Sequence, residues 1–311
     1  MDLSLLLFRQ IAVFFIIMFF GFAFVKYGLF KEADGEPLSR LILYIIMPCV
    51  VIKSFQMEIT PEKMHGMLVI AFFTLLVHLI WIFFTYGLGK TVPVTGVEKA
   101  TLIYSNSANL VIPLVSAIFG EEYLFYACIY TAVETAFLWT HANALIYGGG
   151  WGDVKTILRN PNVLAIFVGM FLFFAGIKLP DSLSVAMESV AGMVGPASML
   201  VMGMLMAGAD LSKIMKSPRV YAICAGRLLF YPILIMLLIL ASGYLKAFPA
   251  DKPLLLLAVL PVAAPPATII AQFAVLYNKD AAAASAYNVL AVLLSIITMP
   301  LMIKIFQWVF G

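Results

Sequence analysis

The chain has 311 residues, of which 64% are hydrophobic and only 11% charged. Its mean hydropathy is +1.06. A soluble domain carries about 25% charge, so this composition excludes a soluble globular protein, and a net charge of +3 without a basic stripe excludes a nucleic-acid binder. A membrane span needs about 20 mostly apolar residues. Ten such spans are expected: Leu5–Val25, Leu38–Phe55, Met67–Leu88, Ala100–Phe119, Tyr123–Tyr147, Asn162–Ile177, Val190–Ala209, Val220–Leu245, Leu254–Tyr277 and Ala281–Val309. The first has no small-residue cleavage site before "KYGLFKEADGE" and reads as a retained span, not a signal peptide. Cys49, Cys128 and Cys224 lie in apolar runs, at spacings that suit neither zinc nor a disulfide framework, and read as small core residues.

The connections are short, so residues 1–147 read as one five-helix half, 148–160 as a cytoplasmic linker and 161–311 as a second half. Each half runs medium, medium, long, interrupted, long. Five is odd, so the second half enters the membrane from the opposite face. The expected fold is an all-α polytopic membrane protein of two inverted five-helix repeats. Lys26, Lys31, Arg40, Lys90, Lys99, Lys155, Arg159, Lys213, Lys216, Arg219 and Lys279 follow odd-numbered spans. They outnumber Arg9, Lys53, Lys63, Lys178, Lys246, Lys252 and Lys304 on the other side, which places both termini outside the cytoplasm.

The fourth span contains "YSNSANLVIPLV" and the ninth "LPVAAPPATIIAQ", so Pro113 and Pro265/Pro266 fall at corresponding places in the two halves. A proline removes a helix hydrogen bond and clashes with the preceding turn. Broken backbone at membrane depth is tolerated only against protein or an aqueous cavity. Spans four and nine are therefore expected to break and cross at these prolines. Half-helix N-termini would then face an anion. Ser105, Asn106, Asn109, Pro113, Pro265, Pro266, Thr268 and Gln272 are the candidate substrate-binding residues.

These motifs resemble those of the auxin efflux carrier family. "NSANLVIPLVSAIFG" is similar to its fourth-span pattern N-x-G-N-x-G-x-P-L, and the run from Ala263 to Pro300 to its ninth and tenth spans. The segments Asn160–Pro180, Gly195–Ala207 and Arg227–Pro232 fit as well. The family's glycines stand here as Ala108 and Val111, and a hydroxyl pair late in the tenth span as Ala291 and Val292, which makes the cavity tighter or more apolar. The short central loop is like that of prokaryotic members. The resemblance implies the ten-helix fold of bile-acid symporters and sodium/proton antiporters. It assigns the first, second, sixth and seventh spans to a scaffold and the others to a mobile transport domain. It also implies organic-anion substrates: auxin in plants, dicarboxylates such as malate or malonate in some bacterial members.

Several polar residues lie within spans. Glu134 shares a helical face with Thr131, Thr135 and His141. A desolvated acid holds its proton more tightly, so Glu134 and His78 are candidates for proton coupling. A neutral, purely structural Glu134 is the alternative. Arg227, about two turns into the eighth span, is expected to snorkel to the cytoplasmic surface; the alternative is to balance a substrate carboxylate. Ser285, Asn288, Ser295 and Thr298 form a stripe on the tenth span that suits polar packing or a substrate path.

The reading is a secondary-active carrier of small organic anions in the cytoplasmic membrane, working by an elevator-type mechanism. It takes no cofactor or metal, with H⁺ or Na⁺ as the candidate coupling ion. Its partners are the anion, the lipid bilayer and a second copy in a homodimer. A channel or sensor on the same fold is the alternative. An intramembrane hydrolase is disfavoured, because no H-E-x-x-H occurs and the aspartates all lie near span ends or loops.

Overall fold

The computed structural model describes residues 3–148, 160–208, 212 and 216–311. These are almost wholly helical, and the only strand-like pairing among them is one isolated bridge. The chain runs through α1 (Leu3–Lys26), α2 (Gly35–Ser54), α3 (Pro61–Thr91), α4 (Gly96–Ile103), α5 (Ser107–Phe119) and α6 (residues 121–147). It continues through α7 (Pro161–Phe174), α8 (Asp181–Ala207), α9 (Pro218–Ser242), α10 (Lys252–Val262), α11 (Ile269–Leu276) and α12 (Ala281–Phe310). Among the described residues six helices are long and apolar enough to cross a membrane: α1 from Phe8, α2, α3, α8, α9 and α12. Two shorter apolar helices are α5 and α7. The expected spans four and nine are each two helices joined by non-helical chain, at Tyr104–Asn106 and at residues 263–268. The linker expected at 148–160, with Lys155 and Arg159, and the neighbourhood of Lys213 lie almost entirely outside the described residues.

Helices meet where glycine lets backbones approach. A Cβ on Gly203 of α8 would sit 1.8 Å from the Met18 carbonyl oxygen of α1, and one on Gly21 would sit 2.2 Å from that of Leu200. In lipid such close backbone packing, rather than the hydrophobic effect, holds helices together. α2 packs on α7, with Phe55 against Phe173 and over Gly169. α3 packs on α6, and the start of α4 reaches the end of α6, where Gly96 faces the Leu145 carbonyl.

Prolines explain much of the local irregularity. Among the described residues π-helical turns occupy Ile42–Ile46, Ser107–Val111, Leu138–Ala142 and Gly226–Phe230, and all but Leu138–Ala142 end two residues upstream of a proline: Pro48, Pro113 and Pro232. A proline ring clashes with the carbonyl four residues back, and in each case that residue (Tyr44, Asn109 or Leu228) lies mid-segment. The wider i→i+5 turn makes room for the ring. This corrects one expectation: the break of span four does not fall at Pro113, which sits inside the first turn of a regular helix, but at Tyr104–Asn106.

Candidate functional site

The two breaks cross and pair. Asn106 N–H donates to the Pro265 carbonyl at 2.8 Å, and Ala267 N–H donates to the Tyr104 carbonyl at 3.1 Å. Ser105 faces Pro266 in an antiparallel bridge. Unwound backbone at this depth must satisfy its own polar groups, and each segment supplies the other.

The helix ends beside the crossing carry unsatisfied carbonyls. Arg227 serves them. Its Nε donates to Ala264 O at 3.1 Å and Nη2 to Pro261 O at 2.9 Å. Nη1 donates to Leu102 O and Ile103 O at 3.1 and 3.2 Å. The side chain is fully buried, with its guanidinium 4.9 Å from the Trp81 ring centroid. The expectation that Arg227 snorkels to the surface is therefore wrong. Helix C-terminal ends attract a cation, and Arg227 joins the ends of α4 and α10 through four carbonyls.

On the other side of the crossing lies Glu134, fully buried. Its Oε1 accepts from the Ser105 N–H at 2.7 Å and the Ser105 hydroxyl at 2.6 Å. Its Oε2 accepts from the Ser107 hydroxyl. His78, also fully buried, brings Nε2 to 3.6 Å from Oε1. His78 Nδ1 lies 2.7 Å from the Thr74 carbonyl, an acceptor, so Nδ1 carries a proton. His141, further along α6, meets the Tyr104 hydroxyl at 2.7 Å.

The sequence resemblance implies that the fourth and ninth spans cross at their prolines; they meet here at residues 104–106 and 265–267, so the ninth-span side falls at its prolines and the fourth-span side does not. The family model of membrane transport proteins, that of the auxin efflux carriers, matches residues 6–150 and 152–303. The chain belongs to this family. It is a membrane transporter, embedded as a multi-pass protein. No curated protein matches it significantly in sequence.

In this auxin efflux carrier family member, most of the candidate residues gather at the crossing. Ser105 and Asn106 are buried there, and Asn106 Nδ2 points to Met202 Sδ of α8 at 3.8 Å. Asn109 Nδ2 donates to Thr268 Oγ1 at 3.2 Å, joining α5 to the chain before α11. Pro265 and Pro266 form the ninth-span side, and Pro113 lies one turn beyond Asn109. Gln272 is exposed on α11. Of the tenth-span stripe, Asn288 reaches the crossing and donates to Pro266 O at 2.8 Å. Ser295 bonds its own helix at Val292 O, and Ser285 is exposed. Among the described residues no three His, Cys, Asp or Glu side chains gather as metal ligands.

Sequence reasoning missed two groups. Ser198 of α8 is buried one turn before Met202, and its hydroxyl has no hydrogen-bond partner. Nothing in its surroundings in the sequence marks it. Glu98 is buried at the head of α4, held by both Nε and Nη2 of Arg219 at 2.6 and 2.8 Å and by the Tyr287 hydroxyl at 2.9 Å. Its signal was legible, since Thr95 and Glu98 form a capping box.

Proposed function

We propose that the protein is a secondary-active transporter that carries small organic anions, mono- or dicarboxylates, across the cytoplasmic membrane. The observation that supports this best is the paired crossing of residues 104–106 with 265–267, where buried Asn106 and half-buried Asn109 stand next to the start of a half-helix. Asn106 and Asn109 supply N–H donors, and the half-helix N-termini supply free backbone N–H groups and positive dipole ends. The anion would bind beside Asn109 and Thr268, displacing their mutual hydrogen bond. Ten spans in two inverted repeats, alternating access by an elevator movement and a homodimeric assembly belong to the same reading.

Asn109→Ala is expected to weaken anion binding about tenfold to thirtyfold, the scale of one hydrogen bond to a charged group. Fold and yield should change little, because alanine strands no charge. Binding of labelled carboxylates to the purified variant decides the matter. Native affinity there would mean that Asn109 only repairs the broken helix. The charge bias places both termini outside the cytoplasm, so a cysteine at exposed Lys216 should be labelled only from the cytoplasmic side.

A further inference from the structure

The fixed charges at the crossing each face helix ends. A helix end carries about half a unit charge. The C-terminal ends of α4 and α10 together therefore bring about one negative charge, which the Arg227 guanidinium offsets through its four carbonyl bonds. The N-terminal ends of α5 and α11 bring about one positive charge, and Glu134, held at the α5 end through Ser105 and Ser107, brings one negative charge. Three donors, the Ser105 N–H and the Ser105 and Ser107 hydroxyls, satisfy Glu134 as an ionised carboxylate. With these groups alone the crossing carries about zero net charge, so the half-helix ends offer an entering anion donors and local dipoles but no full charge to balance its own.

His78 is the remaining group. Its Nδ1 proton is engaged by Thr74, so the neutral ring turns the Nε2 lone pair toward Glu134 Oε1 at 3.6 Å. Nε2 has no hydrogen-bond partner and no contact with water. A lone pair facing a carboxylate is repulsive, whereas a proton on Nε2 makes an ion pair in a low-dielectric surround. The ring is faced by Tyr130, Glu134 and Phe137 of α6, by Trp81 of its own helix and by Tyr104 at the crossing. Beyond these lie His141, held on Tyr104, and Arg227 and Tyr231, held against Trp81. Of these groups only Glu134 and Arg227 carry a fixed charge.

We propose that His78 takes up one proton with each monoanion that enters the crossing, so that proton and substrate travel together and a monocarboxylate is carried without net charge. This rests on the anion-transport reading above. The Nε2 lone pair, closed from solvent in this state, takes a proton from water when the crossing opens on the loading side, and that proton returns to water when the crossing opens on the other side and the anion leaves. No other bond forms or breaks, and Glu134 remains the ionised partner throughout.

The test uses purified full-length protein titrated with benzoate, and separately with malonate, in weakly buffered solution containing a pH-indicating dye. Wild type should take up one proton per benzoate bound. Its apparent affinity should fall about tenfold per pH unit over the range where one proton is taken up per benzoate, the slope that one linked proton gives. H78Q should bind benzoate more weakly, without proton uptake and without that slope; H78N serves if H78Q fails to fold. E134Q removes the negative charge that the proton answers, and should also bind without proton uptake. In liposomes, benzoate flux should ignore membrane voltage, whereas malonate, with one charge left over, should respond to it. Proton uptake that survives in H78Q overturns the proposal and points to Glu134 as the carrier. Benzoate binding to wild type with no proton uptake overturns it while leaving anion transport standing. Failure of wild type to bind any carboxylate tested defeats the transport reading, and this inference with it.

Discussion

At the scale of the residue, Arg227 bears more of the site than any substrate candidate. Each of its carbonyl partners lies at a helix end or break, where backbone donors run short, although Pro261 O also accepts from the Ala264 N–H at 3.1 Å. Arg227→Met keeps the bulk and removes every donor. It should destabilise the protein by roughly 3–5 kcal/mol, the usual loss when one partner of a buried charged network is removed. Arg227→Lys should fall between, since an ammonium lacks the planar fork that reaches four oxygens on two segments. Melting of the purified variants in detergent checks the order, and a methionine variant as stable as wild type would remove Arg227 from this role. The sequence showed how deep Arg227 lies but not which way it points. The π-turn at Gly226–Phe230 sets that direction, and it follows from Pro232 only once the proline is read as a cause of a wide turn rather than of a break. Glu134 was more legible, because an acid in mid-span has few uses other than a partner or a proton.

At the scale of the element, the interrupted spans were visible as proline and amide clusters, but the position of the break was not. Pro113 is accommodated by the turn before it, and the chain opens instead at Tyr104–Asn106, where Glu134 and Pro265 supply partners from distant sequence. Local propensity could not locate that point, since both partners are tertiary. The head of α4 is fixed in a similar way. Burial pushes the Glu98 carboxyl up, but the Arg219 guanidinium, the Thr95 N–H and the Tyr287 hydroxyl hold it down at about 2, below its ordinary value of 4.5. A carboxyl lowered on folding stabilises the protein above its unfolded value, and that stability is lost as pH falls toward the folded one. Thermal stability should therefore drop as pH falls from about 4.5 toward 2, by about 3 kcal/mol in all at one pKa unit per 1.36 kcal/mol. Glu98→Gln should be less stable than wild type at neutral pH and should lose this part of the acid dependence. A glutamine variant with the full wild-type acid profile would show that other carboxylates set it.

At the scale of the whole molecule, hydropathy alone made the membrane class legible, together with the positions of the six long apolar helices among the described residues. It could not reveal the partners, because lipid-facing and protein-facing residues are equally apolar here. α1 lies along α8 and α2 against α7, which are the spans assigned to a scaffold, while α3 to α6 and α9 to α12 gather around the crossing. An elevator movement requires these two groups to slide past one another. Their contact can be tested at one point: a Cβ on Gly195 of α8 would lie 3.6 Å from the Pro113 Cβ of α5. That separation suits a disulfide, whose Cβ atoms lie about 3.5–4.5 Å apart. Gly195→Cys and Pro113→Cys together, with half-buried Cys49 replaced by serine and Cys128 and Cys224 left buried, should cross-link on mild oxidation. Transport in liposomes should then stop and return on reduction. Comparing the oxidised and reduced states of one variant separates the cross-link from any harm done by losing Pro113. Full cross-linking with undiminished transport would mean that α8 and α5 move as one body. The substrate would then have to cross by local gating at the crossing, without sliding of the crossing past α1 and α8.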